Sequence, residues 1–225
     1  MMVLPAIAND ESVAADGGIH QQIKNYFIEG NPGFMAFVLV CLILGLALCI
    51  ERIIYLNMAQ TNTDALLSNV EGKLKSGGVG AAKEYLRNTK GPVASIFYQG
   101  LERADEGVDQ VEKSVVNYGQ VQMGLLEKGL SWISLFIALA PMLGFMGTVI
   151  GMINAFEDIE NASTINASIV ASGMKLALIT TVSGLIVAII LQIFYNYILS
   201  KVDSIVNDME NASISLVDMI VKYKD

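Results

Sequence analysis

Three long runs without a charged residue decide what this chain can fold into. They cover residues 30–50, between Glu29 and Glu51, residues 129–156, between Lys128 and Glu157, and residues 176–200, between Lys175 and Lys201. A helix needs about 20 apolar residues to cross roughly 30 Å of hydrocarbon. Inside hydrocarbon every backbone N–H and C=O must also be bonded within the spanning structure, which a helix does by itself. Each run meets both conditions, so the expected fold class is all-α: a polytopic membrane protein with three transmembrane helices and long helices extending into the cytoplasm. With 53% hydrophobic and 16% charged residues, the chain is more apolar than an ordinary soluble domain.

Orientation follows from the basic residues, because cytoplasmic segments retain Lys and Arg. Nine of the fourteen lie between the first two runs (Arg52, Lys73, Lys75, Lys83, Arg87, Lys90, Arg103, Lys113 and Lys128) and three in the tail (Lys201, Lys222 and Lys224). The N-terminus offers only Lys24, and residues 157–168 carry Glu157, Asp158 and Glu160 with no base. The chain is expected to start outside and end inside. Its segments are then an outer N-terminal segment 1–29, a first span 30–52, an inner helical domain 53–128, a second span 129–156, a short outer loop 157–172, a third span 173–200 and an inner C-terminal helix 201–225. The opening MMVLPAIAND lacks the basic region of a signal peptide. A net charge of −8, spread over both aqueous sides, gives no basic footprint for nucleic acid.

Between the first two spans the sequence reads as helices broken by turn signals, SGGVG at 76–80 and KGP at 90–92. No proline interrupts residues 93–140, so the second span is expected to continue a helix that begins well inside the cytoplasm. The tail places Val202, Ile205, Val206, Met209, Ile214 and Val217 on a broad apolar face, which calls for a partner helix. Cys41 and Cys49 both fall in the first span, eight residues or roughly 12 Å apart along a helix, and are expected to be buried and unbridged.

The second span is costly as a helix. Pro141, Gly144, Gly147 and Gly151 all fall within it, although glycine costs roughly 1 kcal/mol and proline about 3 relative to alanine. The glycines share one helix face, and Gly147 and Gly151 form a GxxxG pair of the kind that lets a neighbouring backbone approach in lipid. In the third span Ala177, Thr181, Gly184 and Ala188 form a matching stripe of small residues, with Thr180, Ser183 and Gln192 adding polarity. Thr148 and Thr181 each place one hydroxyl on these smooth faces. Either both bond back to carbonyls of their own helices, or both line a polar path between helices.

The absences are as informative. The three runs contain no Asp, Glu or His, and intramembrane acids are the usual proton relays. An ion-conducting role would need a carboxylate from another chain. Lys175, in the first turn of the third span, either snorkels to the outer headgroups or stands at a pathway entrance. The single histidine, His20, has no constellation around it, and there is no phosphate loop, metal-ligand cluster or nucleophile elbow. The chain is expected not to be an enzyme and to need no cofactor or metal. The Asn-Ala-Ser triplets at Asn161, Asn166 and Asn211 match the glycosylation pattern at the level chance gives in such polar segments.

Residues 140–156, APMLGFMGTVIGMINAF, are similar to the second-span signature A-P-x-L-G-x-x-G-T-V-x-G-M-x-x-x-F of the MotA/TolQ/ExbB proton-channel family. CIERIIYL at 49–56 resembles the end of the first span in ExbB-type proteins, and GMKLALITTVSGLIVAI at 173–189 their third span. Three spans with the large loop after the first favour the ExbB/TolQ branch. The resemblance implies a multi-pass subunit of the bacterial inner membrane, N-terminus periplasmic and C-terminus cytoplasmic. A homo-oligomeric ring, a pentamer by family analogy, would surround an ExbD- or TolR-like single-span partner that carries an intramembrane Asp. Proton motive force would then drive a TonB- or TolA-like protein. The leading expectation is an ExbB-like subunit energising TonB-dependent transport across the outer membrane; the alternatives are a TolQ-like subunit for envelope maintenance or a non-conducting scaffold. The resemblance also implies that Thr148 and Thr181 face the partner's Asp. Many relatives carry Glu where this chain has Leu176, which leaves the partner's carboxylate to carry the proton alone.

Overall fold

The computed structural model describes residues 32–162 and 167–224, together with residues 21, 24, 26–28 and 30. His20, Asn166 and almost all of the N-terminal segment lie outside the described residues. Among the described residues from 32 onward, six α-helices follow one another: α1 Pro32–Ala59, α2 Thr63–Arg87, α3 Pro92–Glu102, α4 Val108–Leu126, α5 Leu130–Ala162 and α6 Ala167–Lys224, with one 3-10 turn at Ala104–Glu106. There is no strand among the described residues. Three helical stretches are long and apolar enough to cross a membrane, within Pro32–Arg87, Val108–Asn161 and Ala167–Lys222. The all-α class with three such helices is what the uncharged runs required.

Length alone shows that α6 is more than a span. Its 58 residues extend over roughly 87 Å at 1.5 Å per residue, far beyond a hydrocarbon core. Buried positions recur along it every seven residues, at Ala177, Gly184, Leu191, Ile198, Ile205 and Ala212. A repeat of 3.5 residues per turn keeps one seam against a neighbour along the helix.

The chain divides into two compact units, one of residues 1–43 and 137–189, the other of residues 44–136 and 190–225. In the second unit, α2, α3 and α4 pack with the lower end of α1 and the C-terminal half of α6 around Phe97, Leu101, Val111, Leu191, Ile198 and Leu216, all fully buried. Close approach is built into Gly100, where an added Cβ would lie 2.8 Å from Val115 Cγ2 and 2.9 Å from Leu216 Cδ2. The tail face differs in phase from the one expected. Val202, Ile205 and Met209 are buried, but the seam continues through Ala212, Leu216 and Ile220, while Ile214 is 65% exposed. Within this unit the buried positions themselves set that phase, and most of the face is covered by the chain's own body.

Both turn signals act as read. Gly78, in SGGVG, has φ 67° and ψ −166° and kinks α2, a conformation that glycine adopts without penalty. Pro92 opens α3 as its first residue, where its missing N–H costs nothing. The continuous helix expected into the second span is instead two: α4 ends at Leu126, and α5 begins at Leu130 after Gly129 at φ 86°. Absence of proline was a poor guide there, because a glycine in the left-handed region ends a helix equally well. The Arg52 side chain lies against this break, its Nε 3.8 Å from where a Gly129 Cβ would be. Its guanidinium donates to Glu51 at 2.6 and 2.7 Å and stands 4.9 Å over the Tyr55 ring. Cys41 and Cys49 are buried, free thiols.

Candidate ion pathway

The first unit contains the upper part of α5 and the first turns of α6, and their contacts run in opposite order along the two helices. Ala155 meets Gly173, Gly151 meets Leu176 and Ala177, Gly147 meets Thr180, Gly144 meets Thr181 and Gly184, and Ala140 meets Gly184. The two helices are therefore antiparallel neighbours. Their spacing is set by backbone rather than by side chains. A Cβ on Gly144 would lie 2.9 Å from the Thr180 carbonyl oxygen and 3.4 Å from Gly184 Cα, and one on Gly184 would lie 2.5 Å from the Ala140 carbonyl oxygen. The glycines that cost helix propensity are the positions where the partner backbone occupies the space a side chain would need. Lipid gives helices no hydrophobic reason to associate, so such close packing is what holds them.

The seven-residue seam decides which small residues face inward. Ala177, Thr180 and Gly184 are buried in it, with Val187 following. Thr181 and Ala188 stand at its edge, half-buried. On α5, Gly144, Gly147 and Gly151 are buried, while Pro141 and Thr148 are half-buried beside them. Each residue turns about 100° from the one before it. In an antiparallel pair, the residue after each contact position turns toward the same side. Thr148 follows Gly147 and Thr181 follows Thr180, so both hydroxyls emerge on one flank of the α5–α6 pair. Pro141 and Ala188, seven residues from Thr148 and Thr181, extend that flank.

The two hydroxyls are held differently. Thr148 donates to its own helix, to the Phe145 carbonyl at 2.6 Å. Thr181 reaches across to the Gly144 carbonyl at 3.3 Å, a long bond compared with the usual 2.7–2.8 Å for O–H···O. Thr148 thus bonds back to its own helix, whereas Thr181 bonds to the neighbouring one. Thr180, noted in the sequence only for its polarity, is 1% exposed and donates to the Ala177 carbonyl at 2.8 Å. The signal that separates it from Thr181 is the repeat 177–184–191, which places 180 inside the seam and 181 at the edge. Lys175 is exposed near the start of α6, and Leu176 packs toward Gly151, its Cδ2 2.8 Å from where a Cβ there would be. The outer faces carry Met142, Phe145, Leu178 and Val182, all more than half exposed, as lipid-facing surfaces should.

A helix pair packed through glycines, edged by two threonines and free of Asp and Glu over residues 129–156 and 176–200, belongs to a membrane-spanning protein. Residues 88–211, over half of the chain, match the MotA/TolQ/ExbB proton channel family, and the chain belongs to that family. Within it the similarity is to ExbB. A biopolymer transport protein ExbB homolog of Methanothermobacter thermautotrophicus is 31% identical over 184 residues, 80% of this chain and 64% of that protein. An ExbB-like biopolymer transport protein of Synechocystis is 30% identical over 156 residues, 68% of this chain and 74% of that one. The biopolymer transport protein ExbB of Salmonella typhimurium is 34% identical over 77 residues, 34% of this chain and 32% of that protein. The matched part thus spans under two thirds of the Methanothermobacter relative. The chain is an ExbB-like, multi-pass inner-membrane subunit.

Proposed function

We propose that this chain is the ring-forming subunit of a proton-driven motor in which Thr148 and Thr181 line the ion path and a partner chain supplies the titrating carboxylate. The observation that carries the reading is the flank of the α5–α6 pair: two hydroxyls on one side of a glycine-packed seam, in spans with no acid of their own. A hydroxyl can both donate to a carboxylate and accept from water, so the pair can hold a short hydrated path beside a charge it does not itself carry. The long bond from Thr181 to Gly144 suits exchange, since little is lost when that hydroxyl turns to a water or a carboxylate.

The partner is an ExbD-like single-span protein with an intramembrane Asp, and the work is energising a TonB-like protein for transport across the outer membrane. The membrane orientation is N-terminus periplasmic and C-terminus cytoplasmic, with Lys175 at the outer mouth of the path. Self-association, as a pentamer by analogy with the family, has support from apolar side chains left exposed on α4 and α6, among them Val116, Val121 and Ile214. Large exposed apolar patches mark interaction surfaces.

The test is proton uptake into vesicles containing this chain with its single-span partner. Thr148→Val and Thr181→Val should each suppress uptake while the complex still purifies intact. Full uptake in both variants would remove the path from these residues and leave a scaffold role.

A further inference from the structure

Thr180 is, among the described residues, the most deeply buried polar side chain, and the path proposed above does not use it. Its hydroxyl donates to the Ala177 carbonyl of its own helix at 2.8 Å, and its burial in the seam, not that bond, keeps it off the flank that Thr148 and Thr181 edge. What it does is fill the notch opposite Gly147. A Cβ on Gly147 would lie 2.7 Å from Thr180 Oγ1, 2.8 Å from its Cβ and 3.1 Å from its Cγ2. With a branched side chain on α6, only glycine fits on α5.

We infer that Gly147 and Thr180 form a register lock between α5 and α6, with Thr180 a positioning residue for the two hydroxyls beside it. The inference rests on the pathway reading for its functional meaning, but its geometry stands apart from it. The lock is one residue before Thr148 on one helix and one residue before Thr181 on the other. A slide or roll of α6 against α5 therefore moves both hydroxyls relative to each other, and the lock resists both motions through shape alone. Leu176 against Gly151, one turn along, is a second side-chain contact on the same seam, made by the end of a flexible side chain rather than a branched Cβ. Gly144 and Gly184 meet backbone, which sets how closely the helices approach, while the Thr180 side chain in its notch sets where along the axis they stop.

The test uses the full chain with Cys41 and Cys49 replaced by serine and spin labels at Phe145 and Val182, both exposed. Gly147→Ala should shift or broaden the distance between the labels. Adding Thr180→Gly, which moves the missing side chain from one helix to the other, should restore the original distribution. Thr180→Val, which keeps the branched shape and loses the hydroxyl, should leave the distribution unchanged, and Thr180→Gly alone should broaden it. An unchanged distribution in Gly147→Ala, or no restoration in the double variant, would overturn the lock. If Gly147→Ala fails to fold, Thr180→Gly against Thr180→Val decides: equal distributions overturn the inference. Proton uptake is read in parallel. Labels that respond as expected while Thr148→Val and Thr181→Val conduct normally support the lock and sink the pathway instead.

Discussion

Thr148 and Thr181 carry the same group on the same flank, yet their hydrogen bonds assign them different parts. Thr148 is fixed to the Phe145 carbonyl at 2.6 Å, and Thr181 is loosely tied across the seam to Gly144 at 3.3 Å. Thr181→Val should lower the initial rate of proton uptake by about tenfold, since one hydrogen bond of roughly 1–1.5 kcal/mol is lost where the charge passes. Thr181→Ser, which keeps the hydroxyl, should retain most of the rate. At Gly184 the expectation concerns stability. An alanine there would press its methyl on the Ala140 carbonyl oxygen at 2.5 Å, and overpacking of this kind costs about 1–3 kcal/mol. Unfolding of the purified protein in detergent measures it. The sequence made Thr148 legible, as a lone hydroxyl among glycines. It placed Thr181 in one stripe with Ala177 and Gly184, whereas the packing seam buries Thr180 with them and leaves Thr181 at the edge.

The helices were legible where charge and length spoke for them, and less so where a single backbone angle decided. Three uncharged runs called for helices long and apolar enough to span, which the described residues have, and Gly-Pro punctuation marked α3. The junction before α5 was missed because Gly129, at φ 86°, sits in an otherwise helical pattern. Gly129→Ala should cost about 1–2 kcal/mol, the penalty for a left-handed conformation with a Cβ, again read by unfolding in detergent. The phase of α6 was likewise hidden, since Ile214 and Leu216 are equally apolar in the sequence. Leu216 is fully buried and Ile214 is 65% exposed. Leu216→Ala should therefore destabilise the helical body by about 2–5 kcal/mol, with Ile214→Ala within about 0.5 kcal/mol of the parent. A loss at Ile214 larger than at Leu216 would mean that the tail packs in the phase first read from its sequence.

The molecule as a whole combines a membrane bundle without an acid and a helical body that leaves apolar side chains uncovered. On the proposed reading, the first property calls for a carboxylate from another chain, and the second offers surfaces to copies of this one. If Val116, Val121 and Ile214 are buried between copies, Ile214→Glu should weaken assembly, read as a shift to smaller species in light scattering, without unfolding the body. Most of this was readable before any coordinates: spans from charge-free runs and the missing carboxylate from composition. Close backbone approach at Gly144 and Gly184 was foreshadowed by their spacing, but which atoms met them was not. The most direct test of the account is proton uptake into vesicles holding this chain together with its single-span partner. It predicts uptake by the complex, none by this chain alone, and none when the partner's intramembrane Asp is replaced by Asn. Uptake by this chain alone, or uptake that persists after Asp→Asn, would contradict it.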